Sequence, residues 1–559
     1  MVSPQANQTS PAGQQTQPAS ENQREKEGGL VYDDSNTRDT ELFQQNVSQD
    51  WEFGMQEKLI VTVLVVISLF VALDAAILAP VLPTIAKDLH GSAIDVFWVG
   101  TSYLLTCAAF QPFIAATSDI FGRQWLLLIS VSLFTLGTLI ACLAQTIPQI
   151  LAGRAIQGIG GGGVISLVLI IITDIVPLRQ RPKYGSLVQI PWALGGIIGP
   201  LIGGAFAQHV TWRWIFYINF PFCAMGLVAI PFVVKMKTRR APLRTKLRLV
   251  DWEGGFLFVA SITSFLIGTT WGGVQFPWSS YQTLLPLVLG IFGILATLVW
   301  ERWGARQASI RLSLFASRSG WAVYTCSVIQ GLMLFSQSYY LNLWLQSVRG
   351  FSPTMSGVGQ LPITISLIPS SIIVGVVMTR TGHYRWAVWA GWAMVILSSG
   401  LTIHFDHEVS QAYWIIILVL VGVGHGILLN AQIVSAQASA KSTDVAYAAA
   451  MYAFARTFGM AIGVAIGGTI LQNQMQHALE SFGLPTSIAQ DAAGFISQLN
   501  SLPDDSQFKM EVISAYSQGF RTVFEVLTAI SGAGGLISLA IGSYSLDRQL
   551  DSEHVLNTS

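Results

Sequence analysis

Three ionisable side chains stand inside long apolar runs, where a charge must be paired, hydrated or neutralised. They are Asp74 in Leu73-Asp74-Ala-Ala-Ile-Leu, Arg154 in Arg154-Ala-Ile-Gln157-Gly158, and Arg456 in Phe454-Ala-Arg456-Thr-Phe458. On insertion scales such a group costs about 3 kcal/mol at the centre of a spanning helix. The chemistry open to it is to carry a proton or to hold a polar part of a substrate. The plainer alternative at each position is a structural ion pair or a snorkelling side chain. A second constellation is the polar turn Ser118-Asp119-Ile-Phe121-Gly122-Arg123-Gln124. Asp119 can accept from a helix N-terminus or pair with a base, and Gly122 permits a tight turn. The plainer reading is a short linker.

Two further patterns concern shape and polarity. In Gly195-Gly196-Ile-Ile-Gly199-Pro200-Leu-Ile-Gly203-Gly204, glycines recur every four residues and share one helix face, so a second helix can approach closely. Pro200 removes one helical hydrogen bond and is expected to bend that helix. The same spacing returns at Gly459, Gly463 and Gly467. Gln330, Gln337 and Trp344 recur every seven residues, with Tyr340 beside them, as a polar and aromatic stripe on an apolar segment. The stripe either faces a substrate cavity or makes interhelical hydrogen bonds. Gln157, Gln330, Gln337, Tyr340, Trp344 and Arg456 are therefore the candidates for a substrate cavity.

The elements that position these residues follow from composition. The 559 residues are 52% hydrophobic and only 11% charged, against about 25% in soluble chains. Windows of about 20 apolar residues mark candidate transmembrane helices. There are fourteen, near 59–81, 96–117, 125–143, 150–172, 184–206, 214–234, 254–271, 282–300, 320–345, 357–379, 386–404, 413–430, 447–471 and 522–544. The seventh and eleventh are among the shortest, which leaves twelve or thirteen open. Eighteen Lys and Arg fall in loops on one side and five on the other, which places both termini in the cytoplasm. Trp271, Trp278, Trp300 and Trp303 near span ends read as interfacial anchors.

The formal net charge is zero, so nucleic acid is not an expected partner. Cys107, Cys142, Cys223 and Cys326 sit in apolar runs without zinc spacing and read as small apolar residues. No phosphate-binding loop, His-Glu-x-x-His or Gly-x-Ser-x-Gly is present. No cofactor, metal or enzymatic activity is expected, and any pumping must draw on an ion gradient or on the substrate. Residues 1–57 are polar and read as a disordered cytoplasmic tail, with no cleaved signal peptide. The glycosylation triplets at Asn7, Asn46 and Asn557 lie in tails and read as chance matches. In the long outer loop 473–521, Ile488, Ala492, Phe495, Ile496 and Leu499 recur at helical spacing, which predicts a short amphipathic helix.

At these motifs the sequence resembles the major facilitator superfamily, and within it the fourteen-spanner branch of drug:proton antiporters of the fungal toxin and multidrug efflux type. The resemblance covers about residues 58–545. It rests on Leu73-Asp74 through Leu82-Pro83, Asp119-x-x-Gly122-Arg123, Arg154-x-x-Gln157-Gly158, the Gly195–Gly204 run, and Trp212-Arg213-Trp214 through Asn219-Phe-Pro221. The inner loop departs from the family pattern at Ala115, Ile120 and Gln124 and keeps a single arginine. Its second-half counterpart, Thr379-Arg380-Thr-Gly382-His383-Tyr-Arg385, is looser.

The resemblance implies an all-α integral membrane protein of about 14 transmembrane helices, working by alternating access. Residues 58–234 would form the first six-helix bundle and 235–253 a basic cytoplasmic loop. Residues 254–300 would be two inserted helices, 301–545 the second six-helix bundle, and 546–559 a cytoplasmic tail. It implies proton coupling at Asp74 and Arg154, an inner gate latch at Asp119, Gly122 and Arg123, and an antiporter helix at Gly195, Gly199, Pro200, Gly203 and Gly204. The expected activity is efflux of small organic molecules in exchange for protons, by a monomer in the cell membrane or the vacuolar membrane. Proton-coupled uptake of a siderophore, sugar or amino acid stays open, as does a transporter-like sensor.

Overall fold

The computed structural model describes residues 54–547, except 79, 80, 92, 237–240, 274, 306 and 307. The expectations for residues 1–53, for the three asparagine triplets, for Lys237, Arg239, Arg240 and Arg306, and for residues 548–559 lie outside the described residues.

Regular structure among the described residues is helical. Fourteen long helices stand at the places the apolar windows predict: α1 Met55–Ile77, α2 Ala93–Phe121, α3 Arg123–Cys142, α4 Ile147–Ile175, α5 Gln189–His209, α6 Asn219–Val233, α7 Trp252–Trp271, α8 Tyr281–Trp303, α9 Arg318–Ser347, α10 Leu361–Thr381, α11 Arg385–Thr402, α12 Gln411–Ser439, α13 Val445–Ser481 and α14 Gln507–Ser538. Among the described residues twelve helical stretches are long and apolar enough to cross a membrane; α9 and α11 are the two long helices outside that set. The reason is visible in α9, whose buried residues include Ser327, Gln330, Ser336, Gln337 and Ser347. Its polar groups turn toward protein, so its composition is not that of a lipid-facing helix. Helix starts follow side chains that accept from the first free amides: Asp251 from Gly254, Ser280 from Thr283, Ser317 from Gly320 and Ser410 from Tyr413.

Helices α1–α6 pack on one another, and so do α9–α14; the two groups meet through α2 and α4 against α13, and α5 against α10. The hairpin α7–α8 packs on the flank, with α7 against both α2 and α13. Helix α8 turns Leu285, Leu289, Phe292, Leu295 and Val299 outward, a face suited to hydrocarbon. The basic loop before α7 carries a short exposed helix, Leu243–Leu249.

The segment 473–521 differs from its expected form as a loop. Helix α13 runs on to Ser481, two short helices follow at Ser487–Gln490 and Ala492–Ser501, and α14 already begins at Gln507. The predicted amphipathic piece is broken at Asp491: Ile488 lies buried in the first short helix, and Ala492, Phe495, Ile496 and Leu499 lie in the second, with Ile496 and Leu499 buried. The last helix starts fifteen residues before the apolar window because its first turns are amphipathic: Val512, Ala515, Tyr516, Gly519 and Phe520 face inward.

The glycine face of α5 packs on α1. A Cβ at Gly195 would lie 2.7 Å from the backbone carbon of Ala72, and one at Gly199 would lie 2.8 Å from the Ala76 Cβ. Pro200, inside α5, meets Gly357 of the helix Pro353–Gly359. Gly195→Val should therefore force the two helices apart, at a cost of about 1–3 kcal/mol. Thermal unfolding of the purified protein should show a clear drop for Gly195→Val and none for Gly185→Ala, where a Cβ meets nothing within 4 Å.

Candidate functional site

Asp74 faces into the first helix group at 1% exposure, with Arg154 beside it at 1%. One carboxylate oxygen accepts from Arg154 Nη1 at 2.6 Å; the other accepts from Gln157 Nε2 at 2.8 Å and from Asn219 Nδ2 at 3.0 Å. Arg154 also donates from Nε to the Val99 carbonyl at 3.1 Å and from Nη1 to Gln157 Oε1 at 2.6 Å, and its guanidinium lies 4.5 Å over the Tyr103 ring. Gln157 completes the network by donating to Thr138 Oγ1 at 2.9 Å. Five helices contribute to it: α1, α2, α3, α4 and α6. It is dense because α3 and α4 nearly touch: a Cβ at Gly137 would lie 2.3 Å from the Gln157 amide nitrogen. Helical spacing links Arg154 to Gln157, but the partners on the other helices lie 19 to 83 residues away.

The turn between α2 and α3 forms a second charged centre. Gly122 adopts φ 100°, a conformation that suits glycine. Arg123, 2% exposed, donates to Asp174 Oδ2 at 3.0 Å, to Ser118 Oγ at 2.6 Å and to Asp119 Oδ1 at 2.8 Å. Asp119 then reaches the second helix group, where it accepts from the Tyr447 hydroxyl at 3.0 Å and pairs with Arg311 at 3.8 Å. Arg311 lies 3.7 Å over the Tyr447 ring, pairs with Asp444 and donates to the Thr443 carbonyl at 3.1 Å. The inner loop carries one arginine in sequence, and the segment between α8 and α9 supplies a second cation through space.

The same end carries further links between the groups. Arg181 donates to Gln437 Oε1 at 3.5 Å, Gln437 to the Thr173 hydroxyl at 2.9 Å, and Asn430 to the Pro182 carbonyl at 2.9 Å. Arg179 donates to the Thr379 carbonyl at 3.3 Å and pairs with Asp547, which ties the start of the C-terminal tail to this end. In the looser second-half motif, Gly382 ends α10 in the left-handed region, at φ 67°. The described state is closed at this end, called here the latch end.

Trp212 and Arg213, ahead of α6, both bind Asp88, at 2.7 Å and 3.1 Å, and Arg213 also donates to the Ala144 carbonyl. The Trp212 indole N–H first, and Arg213 next, hold the Asp88 carboxyl below the usual carboxylate range. Trp212 and Arg213 thus clamp the end of the short helix Leu82–Asp88 that follows α1.

Between the groups lies a small cavity of about 20 Å³, lined among others by Ser68, Val168, Gln189, Trp192, Tyr452 and Arg456. Arg456 is 8% exposed; its guanidinium stands 5.9 Å from the Trp192 ring and 6.0 Å from the Tyr452 ring. Next to it, Thr457 accepts from Gln111 of α2 at 3.2 Å. Tyr452 stands one turn before Arg456 on α13, within reach of helix periodicity, whereas Trp192 comes from α5, far away in sequence.

The α9 stripe divides. Gln337 donates to Ser399 at 2.7 Å and its carbonyl meets His425 at 2.8 Å, while Trp344 packs on Phe405 with ring centroids 4.8 Å apart. Both lie inside the second group, away from the cavity beside Arg456. Gln330 is fully buried with no protein partner for either amide atom. Tyr340 lines a separate space of about 130 Å³ with Trp98, Gln275 and Tyr339. Of the residues named from sequence, Asp74, Arg154 and Gln157 come together, Asp119, Gly122 and Arg123 come together, and Arg456 stands alone on the cavity.

A family model described as Major Facilitator Superfamily matches residues 64–464. The chain is 41% identical over 494 residues to the MFS transporter L2 of a Phoma species, covering 88% of this chain and 82% of that one. It is 33% identical to the efflux pump FUS6 of Gibberella moniliformis, over 86% of this chain and 87% of that one. It is 35% identical to the MFS efflux transporter aclA of Aspergillus oryzae, over 88% and 90%. Its fold is similar to the crystal structure of the human organic anion transporter MFSD10, with a TM-score of 0.57 at 14% identity, covering 87% of this chain and all of that one.

Proposed function

The chain belongs to the major facilitator superfamily, and from that premise we propose that it exports small organic molecules, such as toxins, secondary metabolites or drugs, in exchange for protons. Relatives named as efflux pumps over most of their length support the direction of transport. The observation that supports proton coupling is the carboxylate of Asp74, held by Arg154, Gln157 and Asn219 in an interior with little water. A proton arriving on Asp74 competes with Arg154 for the same oxygen. Protonation loosens the bond that joins α1 to α4, and deprotonation restores it. That is a two-state element which a proton gradient can bias.

In this reading the latch end is cytoplasmic, as the Lys and Arg asymmetry argues, and both termini lie there. Asp119, Arg123, Tyr447 and Arg311 hold that end shut while the substrate leaves on the other side. Helix α5, with its glycine face and Pro200, is the surface along which α1 slides. The two helix groups are the rocking bundles, α7–α8 is the inserted pair, and the chain works as a monomer in the cell membrane. One proton moving down roughly 100 mV yields about 2.3 kcal/mol, and one pH unit adds about 1.4 kcal/mol. Together they sustain a gradient on the order of a few hundredfold for a neutral substrate.

The test is accumulation of labelled lipophilic compounds in transporter-null cells expressing this chain. Accumulation is expected to fall, and the fall should vanish with a protonophore and in Arg154→Ala. A rise would establish import instead. A fall that survives the protonophore would remove proton coupling.

A further inference from the structure

The charges near the middle of the molecule do not balance. Asp74 and Arg154 neutralise one another, and His425 is buried against Gln337. Arg456 has no Asp or Glu within ion-pair distance among the described residues, and its Nε meets no protein acceptor. It is 92% buried and lines the cavity between the two helix groups. An arginine removed from water without a counter-ion is a standing cost, and a fold keeps such a group where an anion is to be received. The surrounding groups suit an amphipathic guest. Trp192 and Tyr452 offer flat apolar faces, Val168 a greasy wall, and Gln189 and Ser68 hydrogen bonds.

We propose that Arg456 is the counter-ion for an acidic group of the transported molecule, so that the substrates of this protein are amphipathic organic anions whose unsaturated or aromatic body rests against Trp192 and Tyr452. This rests on the export reading and narrows it. A guanidinium can bind a carboxylate through two parallel hydrogen bonds, an arrangement a neutral amide cannot match. An anion leaving a cell that is negative inside is also pushed outward by the membrane potential, which adds to the driving force of the exchanged proton.

Three probes of one shape and different charge test the assignment: naphthaleneacetate, naphthaleneacetamide and naphthylmethylammonium. Binding to the purified full-length protein in detergent is read as the ligand-dependent rise in its thermal unfolding midpoint. Naphthaleneacetate is expected to stabilise the wild type, and the amide and the ammonium to do so at least tenfold more weakly. Arg456→Gln should lose that preference, Arg456→Lys should keep part of it, and Arg456→Gln without ligand should unfold no earlier than wild type, because an unpaired charge has been removed. The proposal fails if the amide or ammonium binds as well as the acid, if none of the three binds, or if Arg456→Gln still prefers the acid. A protein that binds naphthaleneacetate through Arg456 but never lowers its accumulation in cells would sustain this assignment and overturn the export reading.

Discussion

Asp74→Asn and Arg154→Gln, taken singly, should each reduce export to background and lower stability by about 3–5 kcal/mol, the usual effect of leaving one member of a buried pair without its partner. The pair is a severe case because neither residue exposes more than a trace of surface. In Asp74→Asn the guanidinium keeps the Val99 carbonyl and Gln157 but loses its anion; in Arg154→Gln the carboxylate keeps only the amides of Gln157 and Asn219. The double variant, with both charges gone, should recover most of the lost stability, since uncharged groups of similar volume avoid the desolvation penalty. Transport separates two roles for the pair. If it only holds α1 to α4, the double variant should export as the wild type does. If it couples protons, the double variant should fold and remain unable to drive export with a proton gradient. Denaturant unfolding and proteoliposome efflux on the same four proteins decide between them.

Opening of the latch end gives the second large effect. Asp119→Ala removes an acceptor shared by Arg123, Tyr447 and Arg311, and with it the ionic contact that crosses between the helix groups at this point. Asp119 is 31% exposed, so water compensates part of the loss, and about 1–2 kcal/mol is a fair expectation. That is enough to move a two-state equilibrium by a factor of about 5–30. Spin labels placed on the exposed Lys183 and Lys441, one in each half, should report a longer distance population in Asp119→Ala than in wild type. Arg311→Ala should shift the same population in the same direction, by losing its pairing with Asp119 across the groups and its support of Tyr447, which also donates to Asp119. An unchanged distance distribution in both variants would show that the other links at this end, Gln437 to Thr173 and Asn430 to Pro182, and not this cluster, keep it closed.

The part played by Arg311 illustrates why the latch was only half legible. The turn Asp119-Ile-Phe121-Gly122-Arg123 has a local signature, because a tight turn needs its glycine and i,i+4 spacing brings Asp119 to Arg123. Arg311 has none: it is one basic residue among several in a loop, and its value comes from Tyr447 and Asp444, more than 130 residues on. The α9 stripe shows the opposite case. Its seven-residue repeat is real, but periodicity says only that Gln337 and Trp344 share a face. Packing against α11, α12 and Phe405 turned that face into the second helix group.

Local composition is enough to say which segments are helices fit for a bilayer and which residues carry a charge into them. It also determined that α5 presents a bare face. Each of these is a local matter: a run of about 20 apolar residues satisfies its own backbone in lipid wherever its neighbours lie, and a four-residue repeat of glycine needs no partner to exist. Composition misplaced the start of α14, because a helix amphipathic over its first turns needs the neighbouring α13 to become apolar on one side. Which charges cancel follows from the packing of the helices. It gave Asp74 to Arg154 and Asp119 to Arg123, Tyr447 and Arg311, and it left Arg456 facing the cavity with no anion of its own among the described residues. The physical reason is that a bilayer compels helices to cross it but does not say which faces meet, and a buried charge acquires its meaning from the face it meets.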